Sequence, residues 1–225
     1  MALIRKIYRE FTSEDIYDAC KLYLGTDSEW LNGRTMHSCV AEAIVGGVTF
    51  VQLRTRRMKH LDAIRTARSL IPVCRVANVP LVVANDMEAA KTVGIDGVHI
   101  DRPDVSCVKV RKELGRDVIV GVSVKTPEQA VDAEKSGASY LICGPTYAGR
   151  EDDPNKLITP ETIKEITGAV EIPVIAMGGI NVANAPELSG LGLAGVAAVS
   201  AILAAPDIEE AARDLLREVE GSIRE

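Results

Sequence analysis

Two aspartates, Asp86 and Asp104, each follow the end of a short apolar run, residues 80–84 and residues 97–100. If these runs are neighbouring parallel strands, a right-handed crossover returns the chain to the same end of the sheet and sets both carboxylates on one face. Carboxylates held together repel, so the pattern calls for a divalent cation or for one protonated member, and magnesium is the expected ion. Each aspartate also precedes a helical stretch, where Asp is a favoured N-cap. Spacing alone therefore supports ligand and cap equally. Asp101, beside Pro103, reads as a turn residue.

Other polar side chains gather at the ends of similar runs. In Gln52-Leu53-Arg54-Thr55-Arg56 the alternation puts Gln52, Arg54 and Arg56 on one face. Two guanidinium groups side by side suit a diphosphate, although Arg54 could instead pair internally with Asp86. Asn85 stands next to Asp86, and Ser123 with Lys125 ends another run. Ser123 has no His–Asp context that would make it a nucleophile, so it reads as an anion-binding hydroxyl. Gly178-Gly179-Ile180 and Val199-Ser200-Ala201 end the last two runs, where main-chain N–H groups and a helix start can hold a phosphate; a plain tight turn at the glycines is the alternative. His99, inside Gly97-Val98-His99-Ile100, is expected to be a hydrogen-bonded structural histidine, and His37 and His60 surface or packing residues.

The elements that must position these groups repeat one unit. Runs rich in strand-forming residues at 21–25, 48–53, 80–84, 97–100, 118–122, 139–143, 173–177 and 195–199 are nearly continuous in apolar character, as in a parallel sheet covered on both faces. Between them amphipathic helical stretches fall at 35–45, 59–76, 87–93, 105–114, 126–136, 159–167 and 182–190, with 208–220 closing the chain. Thr126-Pro127 and Thr159-Pro160 mark helix starts, and Gly94 and Gly137 mark ends. Eight such units predict an α/β fold of (β/α)8 TIM-barrel type as one domain, residues 19–225, preceded by a helical leader over residues 1–18. In that fold the strand ends named above form one ring at the carboxyl face.

The net charge of −6 argues against an electrostatic nucleic-acid binder. The five cysteines are scattered and odd in number, which speaks against a disulfide framework or zinc site and for reduced thiols. No run approaches the ~20 apolar residues of a membrane span. A cytoplasmic protein acting on small molecules is expected, with a homo-oligomer possible.

VQLRTR, ANDMEAAKTVGIDGVHIDRPD, GVSVKTPEQA, YLICGPTY, IPVIAMGGI and GVAAVSAIL, in this order, resemble the thiamine phosphate synthase and thiazole tautomerase superfamily over nearly all of residues 20–215. The resemblance implies a barrel that joins a hydroxymethylpyrimidine diphosphate to a thiazole phosphate with release of pyrophosphate. It implies that Gln52, Arg54, Arg56, Asn85 and Ser123 hold the pyrimidine diphosphate, that Asp86 and Asp104 ligate magnesium, and that Gly179, Val199 and Ser200 hold the thiazole phosphate. Arg54, Arg56, Asp86 and Ser123 are the residues placed nearest the chemistry. The chain departs from the family pattern at three points. Thr55-Arg56 replaces the usual Glu-Lys, Asp101-Arg102-Pro103 replaces a glycine-glutamine, and Ala148-Gly149-Arg150-Glu151-Asp152-Asp153 replaces a phosphate-binding Thr-x-Thr-Lys, a role open to Arg150 or Lys156. The alternatives to a synthase are a tautomerase-like isomerase, for which Lys125 stands where a histidine is usual, and a barrel that binds such phosphates without catalysis.

Overall fold

The computed structural model describes residues 9–56, 58–102, 105–148 and 156–223. Strands β1 (Leu22–Gly25), β2 (Phe50–Leu53), β3 (Leu81–Ala84), β4 (Gly97–Ile100), β5 (Ile119–Val124), β6 (Tyr140–Cys143), β7 (Val174–Met177) and β8 (Gly195–Ala198) pair in parallel, each with its neighbour in the chain, and β8 returns to β1. The sheet is thus a closed (β/α)8 barrel with no free edge.

Alternation along each strand separates two cores. Tyr23, Phe50, Val82, Ile119, Tyr140, Ile142, Ile175 and Ala197 fill the barrel interior. Their neighbours, among them Leu24, Val51, Leu53, Val83, Val98 and Val120, face outward and pack under the helices.

The helices α1 (Ser13–Ala19), α2 (Met36–Val45), α3 (His60–Val76), α4 (Met87–Val93), α5 (Cys107–Leu114), α6 (Pro127–Lys135), α7 (Pro160–Gly168), α8 (Ser200–Leu203) and α9 (Ile208–Ser222) follow from apolar spacing and caps. In α3 the buried residues are Ala63, Ala67, Leu70 and Cys74, and in α9 Ile208, Ala212, Leu215 and Val219, each set a single stripe at helical period. Thr35, Ser106, Thr126, Thr159 and Asp207 each accept a hydrogen bond from a first-turn amide. All five cysteines are free and buried. Among the described residues no helix is long and apolar enough to cross a membrane.

Of the expected leader, residues 1–8 lie outside the described residues; the part from residue 9 onward packs at the amino end of the barrel. Thr12 and Asp15 form a reciprocal capping box at the start of α1, and Ile16 and Ala19 join the interior core. Ahead of it, Arg9 makes a two-pronged ion pair with the nearly buried Asp96, Nε to Oδ1 at 3.0 Å and Nη2 to Oδ2 at 2.6 Å. Asp96 also accepts the Leu81 amide, so the pair ties the leader to the starts of β3 and β4.

One predicted helix does not form. In place of residues 182–190 there is a single 3-10 turn, Ala185–Leu188. Asn181 and Asn184 hold the approach to it in a loop: the Asn184 side chain accepts the Asn181 amide, the Asn181 side chain accepts the Ala183 amide, and both carboxamides donate to the Gly179 carbonyl. After β8 comes a four-residue helix, α8, which lies outside the helical stretches read from the sequence.

Candidate active site

The carboxyl ends of the strands form a polar mouth over the apolar interior. Gly25 ends β1 opposite Gln52 of β2. A Cβ at Gly25 would lie 3.0 Å from Val199, 3.5 Å from Arg54 and 3.7 Å from Gln52, so the missing side chain leaves the space in which those three residues converge. Gln52 is buried, Arg54 half-buried and Arg56 exposed. Thr26 braces this end of β2, donating its amide to the Gln52 carbonyl and accepting the Arg54 amide on its hydroxyl. Arg54 does not pair with Asp86, and neither Arg54 nor Arg56 has an ion-pair partner among the described residues. Both guanidinium groups keep their donors for an anion.

At the end of β3, Asn85 adopts a left-handed conformation (φ 55°), which asparagine tolerates better than most residues. Its amide donates to the His99 carbonyl, its Oδ1 accepts the Asp101 amide at 3.0 Å, and its Nδ2 donates to the Asp101 carboxylate. Asp101 is therefore more than a turn residue, because it locks the end of β4 to the end of β3. Asp86 takes the cap position that was one of its two expected readings. Oδ1 caps α4 by accepting the Ala89 amide at 2.8 Å, and Oδ2 faces His60 Nδ1 at 3.3 Å. His60, read from sequence as a surface residue, thus abuts the site, a contact no local spacing announces. Asp104 lies outside the described residues.

Ser123, near the end of β5, borders a cavity of about 690 Å³ whose lining includes Asp101, Lys125, Gly144 and Met177. Below it, His99 Nε2 contacts Ser123 Oγ at 2.9 Å and Nδ1 contacts the Tyr140 hydroxyl at 3.1 Å. The expectation of a hydrogen-bonded structural histidine holds. Burial drives its pKa from the ordinary 6.5 to about 4, so the ring is neutral at physiological pH.

On the far side, Gly178 (φ 113°) and Gly179 (φ 60°) follow β7. Any Cβ at Gly178 would press on Pro145, 2.7 Å away, and one at Gly179 on the Tyr147 carbonyl, 2.9 Å away. These glycines are required because the segment after β6 lies directly on them, with Tyr147 donating its amide to the Gly178 carbonyl. That adds a packing reason to the expected one of anion access. Val199 precedes α8, whose start has no side-chain cap, and Ser200 is its first residue. Its first amides are open to a phosphate. Of the altered segment after β6, residues 149–155, which include Arg150, Glu151, Asp152 and Asp153, lie outside the described residues; Lys156 is exposed.

The donors around Asp86 suit a hard cation. Beside its own carboxylate lie the Asn85 carboxamide and the Asp101 carboxylate, with the His60 imidazole facing Oδ2, and every thiol is buried. Among the described residues no three His, Cys, Asp or Glu side chains cluster as a complete metal cage. Such a site fits magnesium, which keeps several waters and completes its shell with substrate phosphates.

Residues 22–202 match the family model described as thiamine monophosphate synthase. A thiamine-phosphate synthase of Clostridium acetobutylicum is 38% identical over 193 residues, covering 86% of this chain and 92% of that one. Another, from Ruminiclostridium cellulolyticum, is 38% identical over 195 residues, covering 87% and 93%. Among solved structures, a thiamine phosphate pyrophosphorylase from Pyrococcus furiosus superposes with a TM-score of 0.84 at 30% identity, over 92% of this chain and 98% of that one.

Proposed function

The chain belongs to the thiamine monophosphate synthase family, and on that premise we propose that its barrel mouth condenses a hydroxymethylpyrimidine diphosphate with a thiazole phosphate, releasing pyrophosphate. It is a transferase. The observation that carries the assignment of roles is the convergence of Gln52, Arg54 and Val199 around Gly25, at the same end of the barrel as Asp86 and Ser123.

Arg54 and Arg56, without an ion-pair partner among the described residues, offer guanidinium donors to the diphosphate, which gathers negative charge as the bond to the pyrimidine methylene breaks. Gln52 presents a carboxamide from a buried strand position, suited to the polar edge of a pyrimidine. Asn85, held rigid by Asp101, and Ser123 complete that half of the mouth. Gly179 and the capless start of α8, Val199 and Ser200, supply main-chain donors for the thiazole phosphate. Asp86, together with Asp104, would hold magnesium, which when bound supplies charge neutralisation on the departing diphosphate. The floor beneath, formed by the neutral His99 and the two buried tyrosines, carries no anion that would trap a pyrimidinylmethyl cation before the thiazole nitrogen reaches it.

Purified protein given both substrates and magnesium is expected to form thiamine phosphate. Absence of product across a range of magnesium concentrations would overturn the proposal.

A further inference from the structure

Beneath the mouth runs a chain of four side chains: Tyr23 hydroxyl to Tyr140 hydroxyl at 3.0 Å, Tyr140 hydroxyl to His99 Nδ1 at 3.1 Å, and His99 Nε2 to Ser123 Oγ at 2.9 Å. Tyr23 and Tyr140 are fully buried, and only Ser123 reaches the cavity. We infer that His99 is a positioning residue, fixed as the Nε2–H tautomer by Tyr140 and Tyr23, and that it holds Ser123 as a hydrogen-bond donor directed at the bound pyrimidine diphosphate. The substrate in that statement rests on the synthase reading; the tautomer does not.

The inference follows from counting hydrogens. A neutral imidazole carries one ring N–H, each hydroxyl one O–H, and three contacts need one hydrogen apiece. In one polarity Ser123 donates to Nε2, Nδ1–H donates to Tyr140, and Tyr140 donates to Tyr23. The Tyr23 hydrogen is then left without an acceptor, because Tyr140 is the one hydrogen-bond partner of its hydroxyl among the described residues. In the other polarity Tyr23 donates to Tyr140, Tyr140 donates to Nδ1, and Nε2–H donates to Ser123. Every buried hydrogen is used, and the one left over belongs to Ser123, at the mouth, where a substrate acceptor takes it. A buried donor left unpaired is penalised enough to weight the two states by at least about fivefold.

Packing keeps the arrangement from relaxing. Gly121 lies beside His99 on β4 and Tyr140 on β6. A Cβ there would overlap the Tyr140 ring and hydroxyl and come within 2.5 Å of His99 Nδ1. The two rings occupy the volume that the glycine vacates, and their hydroxyl-to-nitrogen contact is held on that side by backbone.

The experiment is nitrogen-15 NMR of histidine-labelled protein, where two-bond couplings separate the two neutral tautomers. The chain has 3 histidines, and the His99 signals are assigned by their loss in His99→Gln. The expected result is the Nε2–H pattern in the wild type, moving toward Nδ1–H in Tyr140→Phe. An Nδ1–H pattern in the wild type, or no response to Tyr140→Phe, overturns the inference. Kinetics supply the second readout. His99→Leu is expected to raise KM for the pyrimidine diphosphate about tenfold, the scale of one misdirected hydrogen bond to a charged group, with KM for the thiazole phosphate unchanged. His99→Gln, whose amide can still donate to Ser123, is expected to recover most of that loss. Equal loss for both substrates, or in both variants, contradicts positioning. An inactive wild type with an Nε2–H His99 sinks the synthase reading and not the relay, whereas an active one with an Nδ1–H His99 does the reverse.

Discussion

Replacing Asp86 separates the capping role seen in the structure from the magnesium-binding role proposed for it. Its Oδ1 caps α4, a helix of only seven residues, through the Ala89 amide at 2.8 Å, while Oδ2 is directed toward His60. Asparagine caps helices about as well as aspartate, so Asp86→Asn should change unfolding free energy by less than about 0.5 kcal/mol, whereas Asp86→Ala should lose about 1 kcal/mol. The His60 contact adds little to either figure, because the His60 side chain is about half exposed. Catalysis should respond differently. A unit charge about 4 Å from an ion or phosphate is worth about 4 kcal/mol at an effective dielectric near 20. Both variants should therefore lose roughly a thousandfold in turnover. Urea unfolding together with initial rates over a magnesium titration makes the comparison. An Asp86→Asn protein that turns over near the wild-type rate, or that is as unstable as Asp86→Ala, would refute the reasoning.

Three further outcomes are expected. Because His99 is neutral in the fold, with its pKa lowered from 6.5 to about 4, an unfolded chain binds a proton that the folded one excludes. Stability should be unaffected by His99 above pH 6.5 and fall as pH drops from 6.5 towards 4, by about 3 kcal/mol in all; a His99→Gln protein showing the same loss in urea midpoints would speak against it. Arg9→Ala leaves the nearly buried Asp96 carboxylate without its partner and should cost about 2–3 kcal/mol, at the low end for a buried pair because Arg9 is itself partly exposed. Since that pair lies at the amino end of the barrel, KM for both substrates should stay unchanged, and a selective KM effect would show that the leader communicates with the mouth. Gly121→Ala forces a methyl group into Tyr140 and His99 and should destabilise by about 2–3 kcal/mol, visible as a lowered melting temperature; a neutral result would mean that the two rings shift freely.

The barrel was legible because its strands are buried on both faces and its helices carry single stripes, signals that need only local periodicity. The strand ends were legible for the same reason: once β2 and β3 are placed, Arg54 and Asp86 must sit at the carboxyl face. Contacts that depend on distant residues were not. Tyr23 and Tyr140 meet across 117 positions of the chain, and neither tyrosine has a spacing that marks it as a partner of His99. His60 reaches Asp86 only because α3 starts where it does. The loop after β7 was misread as a helix because its apolar residues recur at helical intervals, while the hydrogen bonding of Asn181 and Asn184 that holds it open is invisible to periodicity. α8, at four residues, is too short to show a period at all. The two glycines after β7 stand out in the sequence, but the pressure of Pro145 and Tyr147 on them is a matter of tertiary packing.

The central claim is that this mouth transfers a pyrimidinylmethyl group from diphosphate to a thiazole nitrogen. The most direct test is to quantify thiamine phosphate and pyrophosphate in a single reaction containing both substrates, magnesium and the purified protein. The two products are expected in equal amounts, and neither after chelation of magnesium. Pyrophosphate released without thiamine phosphate, or no release of either with magnesium present, would contradict it.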